Sequence, residues 1–236
     1  MPTLYTYCIS SDSGFAPNPY HGICTLATCK PVVRRTASVG DWIAAFGSTN
    51  SPIGDISLKI VMIMRVTDKM TMKDYDVHCS SELPQKIPTI DSPNYINRVG
   101  DCIYDYSRGS EPKQRKSLHS EKHMAADLSG ECVLLSDHFW YFGDRPIDVP
   151  KHMLPIEHRR GHKSKSNAPY LKDFEAWVAG FTVKAGAILG NPQMARSLPK
   201  CGDCTDFPNE KNKTNYDPGD CGKPAVNKKR NRKPDC

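Results

Sequence analysis

Nine residues constrain this chain most. Leu58 to Val66, with Ile60, Val61, Met62, Ile63, Met64 and Val66, is a nearly continuous apolar run. A strand with apolar side chains on both sides belongs in the buried middle of a sheet. Other strand signals surround it. Leu4 to Ile9 alternates aromatic and smaller residues, and Ile23 to Cys29 forms a second strand that Pro31 breaks. The Val39-Gly40-Asp41 turn launches Trp42 to Phe46, which places Trp42, Ala44 and Phe46 on one face. Glu131 to Ser136 and His138 to Phe142 follow, with Trp140 and Phe142 on the His138 side and Phe139 and Tyr141 opposite.

Helical signals are fewer. Thr71 to Val77 reads as a short helix capped by Thr71, with Asp74 in its first turn. Tyr170 to Ala185 carries Leu171, Phe174, Trp177, Val178 and Phe181 at three- and four-residue intervals and predicts one apolar helix face. Residues 78 to 98 read as a long connection, and 107 to 123 as a basic surface loop. The expected class is α+β: a small, partly closed β-barrel with peripheral helices and a C-terminal helix. A helix-covered open sheet is the competing architecture.

The domain is expected over residues 1–198. From Pro199 onward aliphatic residues nearly vanish, so 199–236 reads as a basic, cysteine-containing tail that cannot build a core of its own. Of the formal net charge of +6, residues 200–236 contribute +3 through nine Lys or Arg against six Asp or Glu. A mild basic excess permits contact with phosphates without demonstrating it. No basic leader, apolar leader or membrane-length span is visible, so a cytoplasmic protein with reduced thiols is expected and Asn212-Lys213-Thr214 carries no glycan.

Several residue groups could carry chemistry. The Gly14-Phe-Ala-Pro-Asn-Pro-Tyr-His-Gly22 loop has proline-fixed backbone, and Phe15, Asn18 and His21 on it can join Arg34, Arg35, Asp41 and Trp42 in one pocket. Arginine grips phosphate by forked hydrogen bonds, Asn and Asp read a base edge, and Phe or Trp stacks on a base. In that pocket His21 and Asp41 are the candidate acid and base. The alternative is that Asp41 only shapes its turn, Trp42 is core and the arginines are solvated. Glu157 to Lys165 holds six cationic side chains of nine, including Arg159, Arg160, His162 and Lys163, and reads either as a phosphate-gripping loop or as an exposed lead-in to the last helix.

Ser136-Asp137-His138 has the residue types of a hydrolytic triad, but neighbours in a strand face alternate sides and no Gly-x-Ser-x-Gly elbow exists. Cys24 and Cys29 would face opposite sides of one continuous strand, which argues against zinc there. Cys201, Cys204, Cys221 and Cys236 leave three readings of the tail open: zinc-ordered, disordered or disulfide-bonded. No Gly-rich phosphate loop appears, which argues against a dehydrogenase or a nucleotide-driven motor.

The run from Gly14 to Pro31, with Arg34-Arg35-Thr36, Val39-Gly-Asp-Trp-Ile43, Gly47-Ser48, Lys59-Ile-Val-Met-Ile-Met-Arg-Val66, Ser136-Asp-His-Phe-Trp-Tyr-Phe-Gly143 and Arg160-Gly-His162, resembles the second nucleotide-modification-associated domain family. The resemblance covers about residues 3 to 190 and draws Lys30 and Ser48 into the candidate binding set. It implies bacterial or phage systems that make, read or process modified nucleotides, including phage defence. The Val-Gly-Asp turn feeding an aromatic strand is also similar to PUA-like barrels of the EVE and ASCH groups, which bind RNA or modified bases. Three functional readings follow: a module that binds a modified nucleotide or base in nucleic acid, an enzyme acting directly on one, or a protein-interaction domain. The base, the choice between DNA and RNA, the oligomeric state and any cofactor are not written in these motifs.

Overall fold

The computed structural model describes residues 1–195. Cys201, Cys204, Cys221 and Cys236, and with them the tail expected from residue 199, lie outside the described residues. The strands are β1 (Leu4–Cys8), β2 (Cys24–Leu26), β3 (Trp42–Phe46), β4 (Lys59–Arg65), β5 (Asp68–Thr71), β6 (Tyr104–Asp105), β7 (Lys113–Gln114), β8 (Cys132–Ser136), β9 (His138–Tyr141), β10 (Ile147–Asp148), β11 (His162–Lys163) and β12 (Ala187–Ile188). The helices are α1 (Pro31–Thr36), α2 (Met72–Ser81), α3 (Tyr95–Arg98), α4 (Met124–Leu128) and α5 (Leu171–Ala179).

The apolar run becomes β4, in the middle of a seven-stranded sheet ordered β11-β1-β3-β4-β9-β12, with β10 also on β4. Its side chains serve two cores, as a run apolar on both faces requires. Val61, Met62 and Met64 meet Tyr5, Tyr7, Ile43, Ala45, Phe139 and Tyr141 on one face, whereas Ile60 and Ile63 join Trp42, Ala44, Phe46, Trp140 and Phe142 on the other. The second face is covered by α5, through Phe174 and Val178, and by the 3-10 turn Lys151–Ile156. The first packs against a smaller sheet, β2-β8-β5. The outer side of that sheet carries a third core, roofed by α2 and the segment from Leu83 to Tyr106.

Two strands bend from one sheet into the other. Lys59–Arg65 pairs with β9 and its continuation β5 pairs with β8, so β4-β5 and β8-β9 form one ribbon folded at residues 66–67 and 137. Ser136 fastens the fold: its Oγ donates to a carbonyl at the bend, 2.6 Å from Arg65 O, and accepts from His138 N–H at 3.1 Å. Sheets that meet through bent strands make a corner of this kind.

The class is α+β, with no closed barrel among the described residues. The large sheet stays open because β1 takes β11 on its free side and β9 takes β12, so its two edges never meet. Helix ends also differ from expectation. Thr71 does cap α2, accepting from Asp74 N–H at 3.1 Å, and the helix runs on to Ser81. The last helix starts within one residue of expectation but ends six residues early, at Ala179, where Gly180 is its C-cap. Among the described residues no helix is long and apolar enough to cross a membrane.

Candidate active site

The chemistry-bearing groups gather where β2 ends. Beyond Leu26 the chain leaves the strand, and Cys29 and Lys30 adopt left-handed backbone conformations, φ 57° and 38°, before Pro31 starts α1. That conformation is costly for a side-chain-bearing residue and persists where the surroundings enforce it. Here they do. Cys29 N–H donates to Asp127 Oδ1 at 2.7 Å, and Cys29 O accepts from Arg34 Nε at 2.8 Å.

Arg34 is the bracket of the site. It is wholly buried, with Nη1 donating to Cys132 O at 2.8 Å and Nη2 to Asp127 O, so it joins the Cys29 turn, α4 and β8. A Cβ on Gly130 would collide with the guanidinium, and only glycine leaves room for it. Arg34 was expected among the exposed phosphate ligands. The structure instead spends its donors on backbone carbonyls, the physical requirement of a buried guanidinium.

Cys29, His119 and Asp127 stand in series. Cys29 Sγ is 3.6 Å from His119 Nε2, and His119 Nδ1 is 2.7 Å from Asp127 Oδ2. The three residues are 8%, 5% and 2% exposed. Phe15 tilts against one side of the imidazole at 4.9 Å between centroids and His123 lies at 4.7 Å, so the ring is held in place by packing. Burial pushes the Asp127 carboxyl up, but the hydrogen bond and charge of His119, the Cys29 N–H and the Tyr104 hydroxyl outweigh it and hold the group below the ordinary carboxylate value. An ionised Asp127 accepts, so the His119 proton belongs on Nδ1 and Nε2 offers its lone pair to the thiol. Thr28 Oγ1, one residue before the cysteine, is buried without a hydrogen-bond partner among the described residues.

This arrangement is that of a nucleophile, a base and an orienting carboxylate. One ligand atom from each of the three also lies within 4.8 Å of the others, a spacing a metal ion can bridge. The series favours the first use, because His119 employs one nitrogen toward each neighbour and Asp127 already accepts from Cys29 N–H and Tyr104.

The residues predicted from sequence are dispersed. Asn18 is buried, with Nδ2 donating to Val99 O and Oδ1 accepting from Lys86 Nζ. His21 is exposed beside Tyr20, and burial of its ring followed by the Lys86 charge lowers its pKa. Both Asp41 oxygens accept backbone N–H groups, from Thr3 at 2.7 Å and Ser38 at 2.8 Å. A cavity of about 420 Å³ opens beside Asp41, lined also by Tyr5 and Thr36. Trp42 is buried against Phe174, with Nε1 donating to Glu175. Arg35 donates to Ser129 O, and Ser48 Oγ accepts from Asn50 N–H. Arg159 pairs with Glu157, Arg160 is exposed, and Lys163 Nζ donates to Pro155 O and Glu157 O. Two groupings do form: Phe15 on His119, and Lys30 over the Tyr7 ring, with His162 the partner of Tyr7 across β1 and β11.

His119 and Asp127 were missed. His119 lay in a segment read as basic surface, and Asp127 had no local motif. The available signal was Thr28-Cys-Lys-Pro31, a cysteine between a strand end and a proline-started helix.

A family model described as nucleotide modification associated domain 2 matches residues 1–198. No curated protein and no solved structure matches the chain.

Proposed function

The chain belongs to the nucleotide modification associated domain 2 family, and from that premise we propose that it is a cysteine-dependent enzyme acting on a nucleotide or nucleobase. The observation that carries this reading is the unbroken series from Cys29 Sγ through the two nitrogens of His119 to Asp127. His119 Nε2 takes the thiol proton as Sγ bonds to an electrophilic carbon, and the carbon's π pair moves to its oxygen or nitrogen. That pair then re-forms the π bond as the bond from carbon to the leaving group breaks, and the imidazolium, stabilised by Asp127, returns the proton to the departing group. Water or a second nucleophile, deprotonated by the same imidazole, then bonds to that carbon, the C–S bond breaks, and the imidazolium returns the proton to sulfur. The Thr28 hydroxyl, one residue before the nucleophile and without a hydrogen-bond partner among the described residues, is the donor we assign to the developing negative charge.

The test is mass mapping after treatment with iodoacetamide, together with incubation of wild type and Cys29→Ser with nucleotide pools. Cys29 should alkylate faster than the deeply buried Cys24, Cys79 and Cys102, and His119→Gln should slow that alkylation. A substrate-derived mass on Cys29 supports the reading. Unchanged nucleotide conversion by Cys29→Ser overturns it. A second reading, a binding module without chemistry, draws on the cavity beside Asp41. Saturable nucleotide binding with no conversion by wild type would favour it.

A further inference from the structure

We infer that the β1–β11 side of the large sheet carries a subsite for the phosphate of a free mononucleotide, formed by Lys30 and His162. This rests on the thiol reading, since the subsite would hold the substrate of that chemistry. Tyr7 is paired with His162 across β1 and β11, and the His162 ring stacks on Tyr5 at 6.4 Å with planes 28° apart. Lys30 Nζ stands 5.0 Å from the centre of the Tyr7 ring. Tyr5 and Tyr7 share the face that looks between the two sheets, so the ammonium and the imidazole stand on the same side of β1.

The balance of charge there is unfinished. Lys30 has no carboxylate partner among the described residues. Burial and then the charges of His158 and Lys30 hold His162 below the ordinary imidazole value, and among the described residues no carboxylate acts against them. Two other cations of the loop are already engaged, Lys163 on two carbonyls and Arg159 on Glu157, and Arg160 is exposed to solvent. A phosphate dianion supplies the missing charge and accepts from both Lys30 and His162.

Lys30 directly follows Cys29, so a phosphate held there lies within one nucleotide's reach of the thiol. The cationic knot is small and local, whereas binding a nucleic-acid backbone uses a track of phosphate contacts. The occupant that fits is a single nucleotide.

The experiment follows the imidazole resonances of His162 in the full chain across pH, with and without inorganic phosphate. Millimolar phosphate should move them saturably and raise the midpoint, since the dianion stabilises the imidazolium. Lys30→Met should abolish the response and Cys29→Ser should leave it. In calorimetry at least one common 2′-deoxynucleoside 5′-monophosphate should bind about tenfold or more tighter than its nucleoside, a difference that His162→Gln removes. No resonance shift, or equal affinity of every nucleoside and its monophosphate, overturns the subsite. A single-stranded oligonucleotide that outcompetes every monophosphate and is released steeply by salt overturns the free-nucleotide assignment. Loss of phosphate binding alongside intact Cys29-dependent conversion removes only the subsite. Conversion that survives Cys29→Ser removes the thiol reading and leaves the phosphate result standing.

Discussion

Two buried carboxylates lie on the outer side of the small sheet, and they are built from nearly the same parts. Asp101 accepts from the Tyr75 hydroxyl at 2.8 Å and from Thr25 at 2.6 Å. Asp127 accepts from the Tyr104 hydroxyl at 2.9 Å and from Cys29 N–H at 2.7 Å. Each has a buried cation nearby. Lys86 Nζ reaches Asn18 O, Asn18 Oδ1, Ile23 O and Thr25 Oγ1, and is linked to Asp101 through Thr25. Every proton of that ammonium is used, and the cluster is closed. The Asp127 cluster instead runs on to an imidazole and a thiol. Burial and charge are therefore common to both clusters; what sets the Asp127 cluster apart is a hydrogen-bonded series that ends on a thiol.

The largest expected effect separates them by function. Cys29→Ser should lower nucleotide conversion by on the order of 10⁴-fold or more, as removal of a nucleophile does. Its unfolding free energy should stay within about 1 kcal/mol of wild type, because the exchange is nearly isosteric. Conversion and urea denaturation on the same preparation check both halves. The structural cluster should behave inversely. Lys86→Met leaves Asp101, Asn18 and Thr25 without their buried donor and should cost about 3–5 kcal/mol of stability. Where the variant is still folded, iodoacetamide should label Cys29 at the wild-type rate. Loss of that labelling would join the two clusters into one functional unit.

A third buried carboxylate sharpens the contrast through pH. Burial drives Asp12 to about 6 against the lowering effect of the Tyr141, Gly14 and Gln193 hydrogen bonds. A carboxyl raised in the folded state adds stability below its unfolded value of 3.8, and that contribution is lost as pH rises to about 6. The whole span is about 3 kcal/mol. Asp127 works in the opposite sense: its lowered value adds stability above the unfolded pKa, lost as pH falls through the folded one. Asp12→Asn should therefore gain stability over wild type above about pH 6 and lose the advantage toward about pH 4. Urea midpoints at the two ends decide it, and a variant that tracks wild type throughout would show that Asp12 titrates normally.

Much of the fold was legible because strands announce themselves locally. Trp42 is one such case in the sheet core, as are Phe139 and Tyr141, whose alternation assigned their faces correctly.

 The period of two put Trp42, Ala44 and Phe46 on one side, and the structure keeps them there. Thr71 was readable as a cap because its partner is three residues away. The site was not readable in this way. His119 and Asp127 lie 90 and 98 residues from Cys29, and no periodicity links a coil, a short helix and a strand end. Arg34 shows the same limit: an Arg-Arg pair looks solvated until the fold reveals which of the two points inward.

The smallest expected effect concerns Asp41, the carboxylate that the sequence nominated. Its two oxygens each accept one backbone N–H, from Thr3 and Ser38, and the turn needs both. In Asp41→Asn one acceptor becomes an NH₂ group facing an N–H donor, so one of these bonds is lost and the turn must adjust. The cost should be on the order of 1 kcal/mol. Neither oxygen lies in the Cys29, His119, Asp127 series, so conversion and Cys29 alkylation should match wild type once the protein is folded. Asp41 does border the cavity of about 420 Å³, which gives the experiment its opposite outcome. If Asp41→Asn keeps its stability but loses nucleotide binding, that cavity holds the ligand, and the comparison between clusters must be redrawn with the Asp41 turn as the functional one.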